Sequence, residues 1–313
     1  MKILVTGGSG FVGKHLLHAI SSMNLVLIGR TPIENASGQF FHSEIDRDSN
    51  FSECLEGVDV IVHCAGRAHI MKDEDPDPIK SYRAINTEGT ANLAEQAAAA
   101  GVKRFVFIST IKVNGDIAKG LDAFKYTDIL NARDPYGKSK QEAEQLLHQI
   151  AEKTGMEIVI IRPPLVYGEG VKANFSALLS LVGKGIPLPF RCINKNKRSL
   201  VSVYNLVDLI KICLQHPSAK NQIFLVSDDH DLSTTAMIRL MAKVQGAKPF
   251  LLPVPVSLLK LIGKLLGKSD MVSRLTDSLE VDISHTKETL NWEPPYSIES
   301  GFVKSVCKIS SIT

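Results

Sequence analysis

Three glycines near the start of the chain constrain its fold more than any other feature. Residues 2–6 are apolar and partly β-branched, as in a short buried strand, and residues 11–20 repeat apolar side chains at helical spacing. Gly7, Gly10 and Gly13 stand between the two segments. The first glycine permits a tight turn, the second lets a pyrophosphate approach the backbone, and the third lets the helix pack against the strand. This order predicts a dinucleotide-binding turn at the positive end of a helix; the alternative is an ordinary strand-to-helix turn with incidental glycines.

Strands and helices alternate through the first half of the chain. Four more apolar stretches predict buried strands: Leu25–Ile28, Asp59–Cys64, Lys103–Ser109 and Glu157–Arg162. Helical patterns cover residues 79–100 and 135–154. The alternation predicts an α/β fold with a doubly wound, parallel sheet. At 313 residues the chain exceeds the usual size of one domain, so either one large domain or one domain with a smaller second lobe is expected.

Composition excludes several classes of protein. Apolar residues make up 44% and charged residues 22%, as in soluble globular proteins, and a net charge of +3 does not indicate nucleic-acid binding. The five cysteines are scattered without a Cys-x-x-Cys pair, so we expect neither a disulfide framework nor a metal site, and a reducing, cytoplasmic setting. The sequence has no signal-peptide pattern and no apolar run long enough to cross a membrane.

Residues after the predicted strands bear on the choice of dinucleotide. Gly29 stands where such folds place an acidic residue that binds the adenosine ribose, and Arg30 follows it. A guanidinium without a nearby carboxylate suits a 2′-phosphate, which favours NADP(H), with NAD(H) as the alternative. The alternative is that Arg30 is a solvated surface residue. Asp46 is expected near the adenine amino group, and Ala65 with Gly66 would let the cofactor pass close to the backbone.

A tyrosine and a lysine supply the candidate chemistry. Tyr136 and Lys140 are four residues apart on one predicted helix, so their side chains share a face. An ammonium favours the phenolate, which could exchange a proton with a substrate hydroxyl or carbonyl. Ser109 or Thr110, at the end of a neighbouring strand, could polarise the same oxygen. The alternative is an exposed helical pair of no catalytic role.

Six stretches then occur in order: TGGSGFVG, HCAG, YRAINTEGTANLAEQA, FVFIST, DPYGKSKQEAEQ and IRPPLVYG. Together they resemble the extended short-chain dehydrogenase/reductase family, in its NAD(P)-dependent nucleotide-sugar epimerase/dehydratase branch. The resemblance implies that Tyr136 is the catalytic acid/base, that Lys140 lowers its pKa and holds the nicotinamide ribose, and that Thr110 is the catalytic hydroxyl. It implies further cofactor contacts from Gly7, Gly10, Phe11, Val12, Asn86, Ser109, Pro163 and Val166.

The second half resembles the nucleotide-sugar lobe of the same family. The resemblance implies that Asn174, Arg198 and, more weakly, Arg274 bind the diphosphate of a UDP-sugar, and a forked guanidinium suits that group. The basic cluster around Arg198 could otherwise be a nucleic-acid patch, but it is short and lacks interleaved aromatic residues.

The resemblance also implies a division of the chain. A dinucleotide-binding domain would comprise residues 1–165, with 199–227 returning to it, and a substrate lobe would comprise 166–198 and 228–313. A homodimer is expected through the helices near residues 80–100 and 135–153.

Three reactions share this framework. Dehydratases of the family carry Asp-Glu after the catalytic threonine, but Ile111 and Lys112 follow Thr110 here, so elimination is set aside. The absent Asp-Glu pair and Gly29-Arg30 favour NAD(P)H-dependent C4 reduction of a UDP-4-keto-6-deoxy-N-acetylhexosamine in surface-polysaccharide synthesis. The alternatives are a UDP-hexose 4-epimerase acting on UDP-glucose or UDP-N-acetylglucosamine, and a catalytically idle cofactor-binding protein.

Residues 255–268 have an unusual composition. The apolar stripe consists of Leu258, Leu259, Ile262, Leu265 and Leu266, with Lys260, Lys264 and Lys268 opposite. Helices that lie on membrane surfaces have this pattern. The favoured expectation is a helix that packs its stripe on the substrate lobe.

Overall fold

The computed structural model describes residues 1–34, 36–67, 75–116, 123–171 and 174–306. Its centre is a seven-stranded, wholly parallel sheet in the order β3-β2-β1-β4-β5-β6-β9. The strands are β1 Lys2–Thr6, β2 Asn24–Gly29, β3 Gln39–His42, β4 Val60–His63, β5 Arg104–Ile108, β6 Glu157–Arg162 and β9 Gln222–Leu225. This is the predicted doubly wound α/β sheet.

Helices cover both faces of the sheet. They are α1 Phe11–Ala19, α2 Ser52–Leu55, α3 Pro78–Arg83, α4 Thr90–Ala99, α5 Pro135–Thr154, α6 Asn174–Gly183, α7 Val203–Cys213, α8 Thr234–Val244, α9 Val256–Leu265, α10 Ser269–Thr276, α11 Ser284–Leu290 and α12 Ile298–Val306. A π-helix, Ala84–Gly89, joins α3 to α4, and 3₁₀ turns occupy Ile111–Val113 and Pro217–Ala219. The expected single helix over residues 79–100 therefore contains one wide turn.

The order in which successive strands are added to the sheet reverses between β1 and β4. β1 pairs with β2 on one side and with β4 on the other, with Thr6 opposite His63. Ligands of open parallel sheets bind beyond the carboxyl ends of strands at such a reversal point. The glycine turn after β1 and the Ala65-Gly66 stretch after β4 meet there.

A second, smaller unit gathers the rest of the chain. β7 Leu165–Tyr167 and β8 Leu200–Ser202 form a two-stranded parallel sheet. Helices α6, α8 and α12 pack there around a separate apolar cluster that includes Tyr167, Phe175 and Phe302. β9 joins the large sheet and α7 packs on α1. The exact domain boundaries remain a prediction.

One expectation about packing is wrong. Leu258 and Leu265 of α9 are 44% and 77% exposed, so the predicted apolar stripe does not pack on the substrate lobe. Gly263 is the buried position of this helix, because its backbone lies against Val272 of α10. Among the described residues, no helix is long and apolar enough to cross a membrane.

Candidate active site

The glycine turn leaves a cradle at the start of α1. Gly7 has φ +69°, and a Cβ there would lie 2.5 Å from the backbone nitrogen of Ala65. A Cβ on Gly13 would collide with the carbonyl oxygen of Gly7, to which the Gly10 N–H donates at 2.9 Å. No side chain of the described residues caps α1 at Gly10. Side chains at Gly7 and Gly13 would therefore clash with backbone atoms, and this tight turn suits a dinucleotide diphosphate at the helix N-terminus.

Phe11 and Val12 are the first two residues of α1, so their backbone N–H groups lie at that cradle. The Phe11 ring packs edge-on against His15, at 5.5 Å between centroids. The structure therefore places the backbone N–H groups of Phe11 and Val12, and not their side chains, at the predicted phosphate site.

A buried histidine connects the cradle to the π-helix. The Thr90 hydroxyl donates to the Asn86 carbonyl at 2.8 Å, so it must accept from Nε2–H of His63 at 3.0 Å. Nδ1 of His63 then accepts from the Thr6 hydroxyl at 2.7 Å, and that oxygen accepts from the Ala65 N–H at 3.2 Å. Burial, with a smaller effect of nearby positive charge, lowers the pKa of His63 to about 3. The imidazole is therefore neutral and its tautomer is fixed by its neighbours.

Asn86 connects α5 to the stretch after β4. Its amide nitrogen donates to the Ser139 hydroxyl at 3.0 Å and to the Arg67 carbonyl at 3.1 Å, and its oxygen accepts from the Arg67 N–H at 2.8 Å. A Cβ on Gly66 would lie 2.9 Å from the Asn86 oxygen and 3.4 Å from the Lys140 amine. Only a glycine lets the backbone after β4 run past both groups.

Lys140 is buried at the floor of the site, with 3% of its surface exposed. Its ammonium donates to the Ile108 carbonyl at 3.0 Å and lies 4.3 Å from the centre of the Phe107 ring. Burial lowers the pKa of Lys140 to about 8, opposed by Cys64 and Glu144. The group stays mostly protonated at neutral pH.

Tyr136 lies at the start of α5, and its hydroxyl forms a hydrogen bond with the Thr110 hydroxyl. The ring contacts Tyr82 edge-on at 6.0 Å. Burial raises the pKa of Tyr136 above its ordinary value, Asp134 and Tyr82 raise it further, and the Thr110 bond opposes this. The side chain is therefore a neutral phenol, and its pKa is raised where the resemblance implies a lowered one.

The two hydroxyls after β5 have different surroundings. The Ser109 hydroxyl donates to the buried carboxylate of Glu144, which also forms an ion pair with Arg162 at 2.6 Å. Thr110 is the one that meets Tyr136. The structure therefore pairs Thr110 with Tyr136, places the Lys140 ammonium on the Ile108 carbonyl at the end of β5, and engages the Ser109 hydroxyl with Glu144.

Sequence reasoning missed Glu144 and Arg162. Both are almost completely buried, and Arg162 also donates to the Asn114 amide oxygen at 3.1 Å. The available signal was the spacing of Glu144, four residues after Lys140 and so on the same face of α5.

The other predicted cofactor residues surround the same edge of the sheet. Arg30 is exposed directly after β2, and Val166 lies half-buried in β7. Pro163 follows β6, and its carbonyl accepts from the Ile111 N–H at 2.9 Å. One oxygen of Asp46 accepts from the Ser49 hydroxyl and two backbone N–H groups, which lowers the pKa of this carboxyl; it closes a local turn.

The structure brings two predicted diphosphate residues together. Burial lowers the pKa of Arg198, the Asp277 carboxylate opposes this, and the positive charge of Arg274 on α10 lowers the pKa by a smaller amount, so the two guanidinium groups lie within electrostatic reach of each other. Arg198 donates to the Asp277 carbonyl at 3.1 Å. Asn174 begins α6, but its side chain lies outside the described part of the structure. Two adjacent guanidinium groups are suited to an anion such as a diphosphate.

Comparison with known proteins identifies related sequences. A family model described as "NAD dependent epimerase/dehydratase family" matches residues 3–227. A UDP-glucose 4-epimerase of Vibrio cholerae is 51% identical over 96% of this chain and 93% of its own length. An Escherichia coli N-acetyl-α-D-glucosaminyl-diphospho-ditrans,octacis-undecaprenol 4-epimerase is 30% identical over 87% of this chain and 82% of its own.

Solved structures agree on the fold. The UDP-glucuronic acid 4-epimerase of Bacillus cereus in complex with NAD has a TM-score of 0.78 at 23% identity, with 97% of each chain covered. A Thermotoga maritima UDP-glucose 4-epimerase with UDP-glucose has a TM-score of 0.75 at 21% identity, again covering 97% of each.

The comparisons correct the expected reaction. The 51% identity to a 4-epimerase over nearly the whole chain contradicts the C4 reduction of a 4-keto sugar and favours the epimerase alternative. The sequence argument failed because the absence of the Asp-Glu pair argues against elimination without separating the two remaining reactions.

Proposed function

Because the chain belongs to the NAD-dependent epimerase/dehydratase family, we propose that it is a UDP-hexose 4-epimerase that interconverts UDP-glucose and UDP-galactose. The main support is the 51% identity to the Vibrio cholerae UDP-glucose 4-epimerase. The hydrogen bond between Tyr136 and Thr110 supports it independently, since a binding protein without chemistry needs no paired proton carriers.

In this proposal Tyr136 and Thr110 act on the oxygen at C4 of the hexose. The bound nicotinamide dinucleotide supplies a reversible acceptor for the hydrogen on that carbon. As the phenolate, Tyr136 would take the proton of the C4 hydroxyl and later return it, while the Thr110 hydroxyl hydrogen-bonds to the same oxygen. Because burial raises the pKa of Tyr136, the phenol would release its own proton to solvent only with added positive charge nearby. A bound oxidised nicotinamide would supply that charge, and the Lys140 ammonium, on the same helix, would add to it.

Inversion at C4 requires the sugar to turn between the two hydrogen transfers. Arg198 and Arg274 would hold the substrate by its diphosphate, so the hexose can present its opposite face while the nucleotide stays bound. The cycle returns the cofactor to its starting state, so no reductant is consumed.

The test is interconversion of UDP-galactose and UDP-glucose by purified protein without added reductant. We expect turnover without net change in nicotinamide absorbance, and losses of roughly 10²–10⁴-fold in kcat for Tyr136→Phe and at least tenfold for Thr110→Val. Ser109→Ala is the matched control: its hydroxyl bonds Glu144, so stability should fall while kcat changes much less. Net oxidation of NADPH with a 4-keto sugar and no interconversion would refute the proposal.

For the cofactor, we infer that the site accepts NADP(H) at least as well as NAD(H). The support is the missing carboxylate at Gly29 and the exposed guanidinium of Arg30 after β2. Arg30→Ala should weaken binding of NADPH far more than that of NADH, measured by titration; equal weakening would contradict the inference. The homodimer through residues 80–100 and 135–153 and the cytoplasmic location also stay predictions.

A further inference from the structure

The helices α9 and α10 expose an unusual amount of apolar surface. The described part of the chain has fifteen strongly exposed large hydrophobic side chains, and six of them lie within residues 258–271. These are Leu258, Leu261, Ile262, Leu265, Leu266 and Met271, which we call the α9–α10 patch. A contiguous exposed apolar patch marks an interaction surface, whereas hydrophobic side chains exposed one at a time are common on any protein surface.

The patch points away from the protein for a geometric reason. Gly263 is buried, and a Cβ on it would lie 2.6 Å from the Val272 side chain of α10. Leu261 and Leu265 are each two residues from Gly263 and so lie on the far side of the helix. The close approach of the two helices thus fixes which face of α9 is presented to solvent.

Basic residues accompany the patch. Residues 256–276 contain four basic side chains and one acidic side chain. Lys264 is three residues after Leu261 and flanks the stripe, and Lys268 follows the end of α9. Lys260 forms an ion pair with Asp277 at 2.9 Å, which ties this side of α9 to the body of the protein.

The chemistry of the patch favours a lipid surface over a protein partner. The centres of protein interfaces are depleted in lysine and enriched in aromatic residues, whereas residues 256–276 have four basic side chains and no aromatic one. Aliphatic side chains bordered by lysines match the face of an interfacial helix, with the apolar stripe among acyl chains and the ammonium groups at anionic headgroups.

We propose that the α9–α10 patch docks onto the surface of an anionic lipid bilayer. The docked hairpin carries Arg274, and Arg198 donates to the carbonyl of Asp277, the residue that follows α10. The diphosphate end of the substrate site would therefore lie close to the membrane. This proposal is independent of the reaction at Tyr136.

The test is flotation of the full-length protein with vesicles of phosphatidylcholine containing phosphatidylglycerol, beside vesicles of phosphatidylcholine alone. We expect binding to the anionic vesicles that weakens as salt is raised. Leu261→Glu and Leu265→Glu should each lower binding tenfold or more, and Lys264→Gln and Lys268→Gln roughly fivefold each.

Ile129→Glu is the matched control, because Ile129 is 90% exposed and belongs to neither α9 nor α10, so its change should leave vesicle binding unaltered. Unchanged thermal unfolding of each variant establishes that the fold is intact. Failure of the wild type to bind anionic vesicles, or equal binding by the leucine variants, would overturn the proposal. So would a wild-type dimer in analytical ultracentrifugation that ignores vesicles and that Leu265→Glu dissociates, since the patch would then be a contact between two copies.

Discussion

At the scale of single residues, the buried charge of Lys140 destabilises the folded protein. The ammonium is buried between the Ile108 carbonyl and the Phe107 ring, and burial lowers its pKa from 10.5 to about 8. An unfolded chain binds that proton more tightly, so the charged amine lowers the free energy of unfolding at pH 7. A group kept charged where burial opposes it is typical of residues selected for chemistry.

Lys140→Met should therefore abolish turnover and yet stabilise the protein. The lowered pKa corresponds to about 3 kcal/mol, from which the loss of a donor to the Ile108 carbonyl subtracts roughly 1–2 kcal/mol. We expect a net gain of about 1–2 kcal/mol at pH 7 in urea unfolding. The gain should shrink as pH rises from 8 to 10.5, because the folded wild type loses its proton before the unfolded chain does. A variant less stable than the wild type at pH 7 would contradict this account.

At the scale of elements, His63 binds together three segments that form the cofactor site. Thr6 ends β1 before the glycine turn, Ala65 begins the stretch after β4, and Thr90 connects to the π-helix that carries Asn86. Each polar hydrogen in this series of hydrogen bonds has one acceptor, and that arrangement requires the imidazole of His63 to be neutral. Protonation of His63 would put a second donor against the Thr6 hydroxyl.

This connection predicts a specific loss of stability in acid. The unfolded chain protonates His63 near pH 6.5 and the folded protein only near pH 3, so the unfolded state binds more protons between these values. Stability should fall by roughly 1.4 kcal/mol per pH unit below 6.5 from this group alone. His63→Gln lacks the titration, so the difference in unfolding free energy between wild type and variant should narrow by about 3 kcal/mol from pH 7.5 to 4.5. Parallel pH curves for the two proteins would disprove the role of His63.

The sequence predicts some elements of this site and not others, for physical reasons. The glycine turn and α5 carry local signals: fixed glycine spacing in one, and Asp134 with Pro135 at the helix start in the other. The π-helix at Ala84–Gly89 carries no such local signal, because the helical pattern of the sequence runs on through α3 and α4 on both sides of it. In α9, amphipathic spacing predicts the helix but not which face is covered, since the contact of Gly263 with Val272 is tertiary.

At the scale of the whole molecule, the residues predicted for the site come from both units. Tyr136 and Lys140 belong to the large sheet's helix layer, whereas Arg198 and Arg274 come from segments around β8 and α10. The loop before α5 is fastened to the second unit, because the Phe124 N–H donates to the Glu280 carbonyl at 2.8 Å. Spacing in the sequence could not have brought the two arginines together; only the closed fold does.

Binding of UDP should therefore stabilise the whole molecule through the two arginines. Ligand at a hundredfold excess over its Kd adds about 2.7 kcal/mol to the free energy of unfolding, seen as a rise in Tm. We expect UDP to produce this rise, uridine to produce little, and Arg198→Gln or Arg274→Gln to abolish most of it while leaving the rise caused by NAD intact. Lys197→Gln is the matched control, since its ammonium is paired with Glu280 at 2.9 Å. If uridine protects as well as UDP, or if Lys197→Gln is as harmful as Arg198→Gln, the guanidinium pair does not recognise the diphosphate.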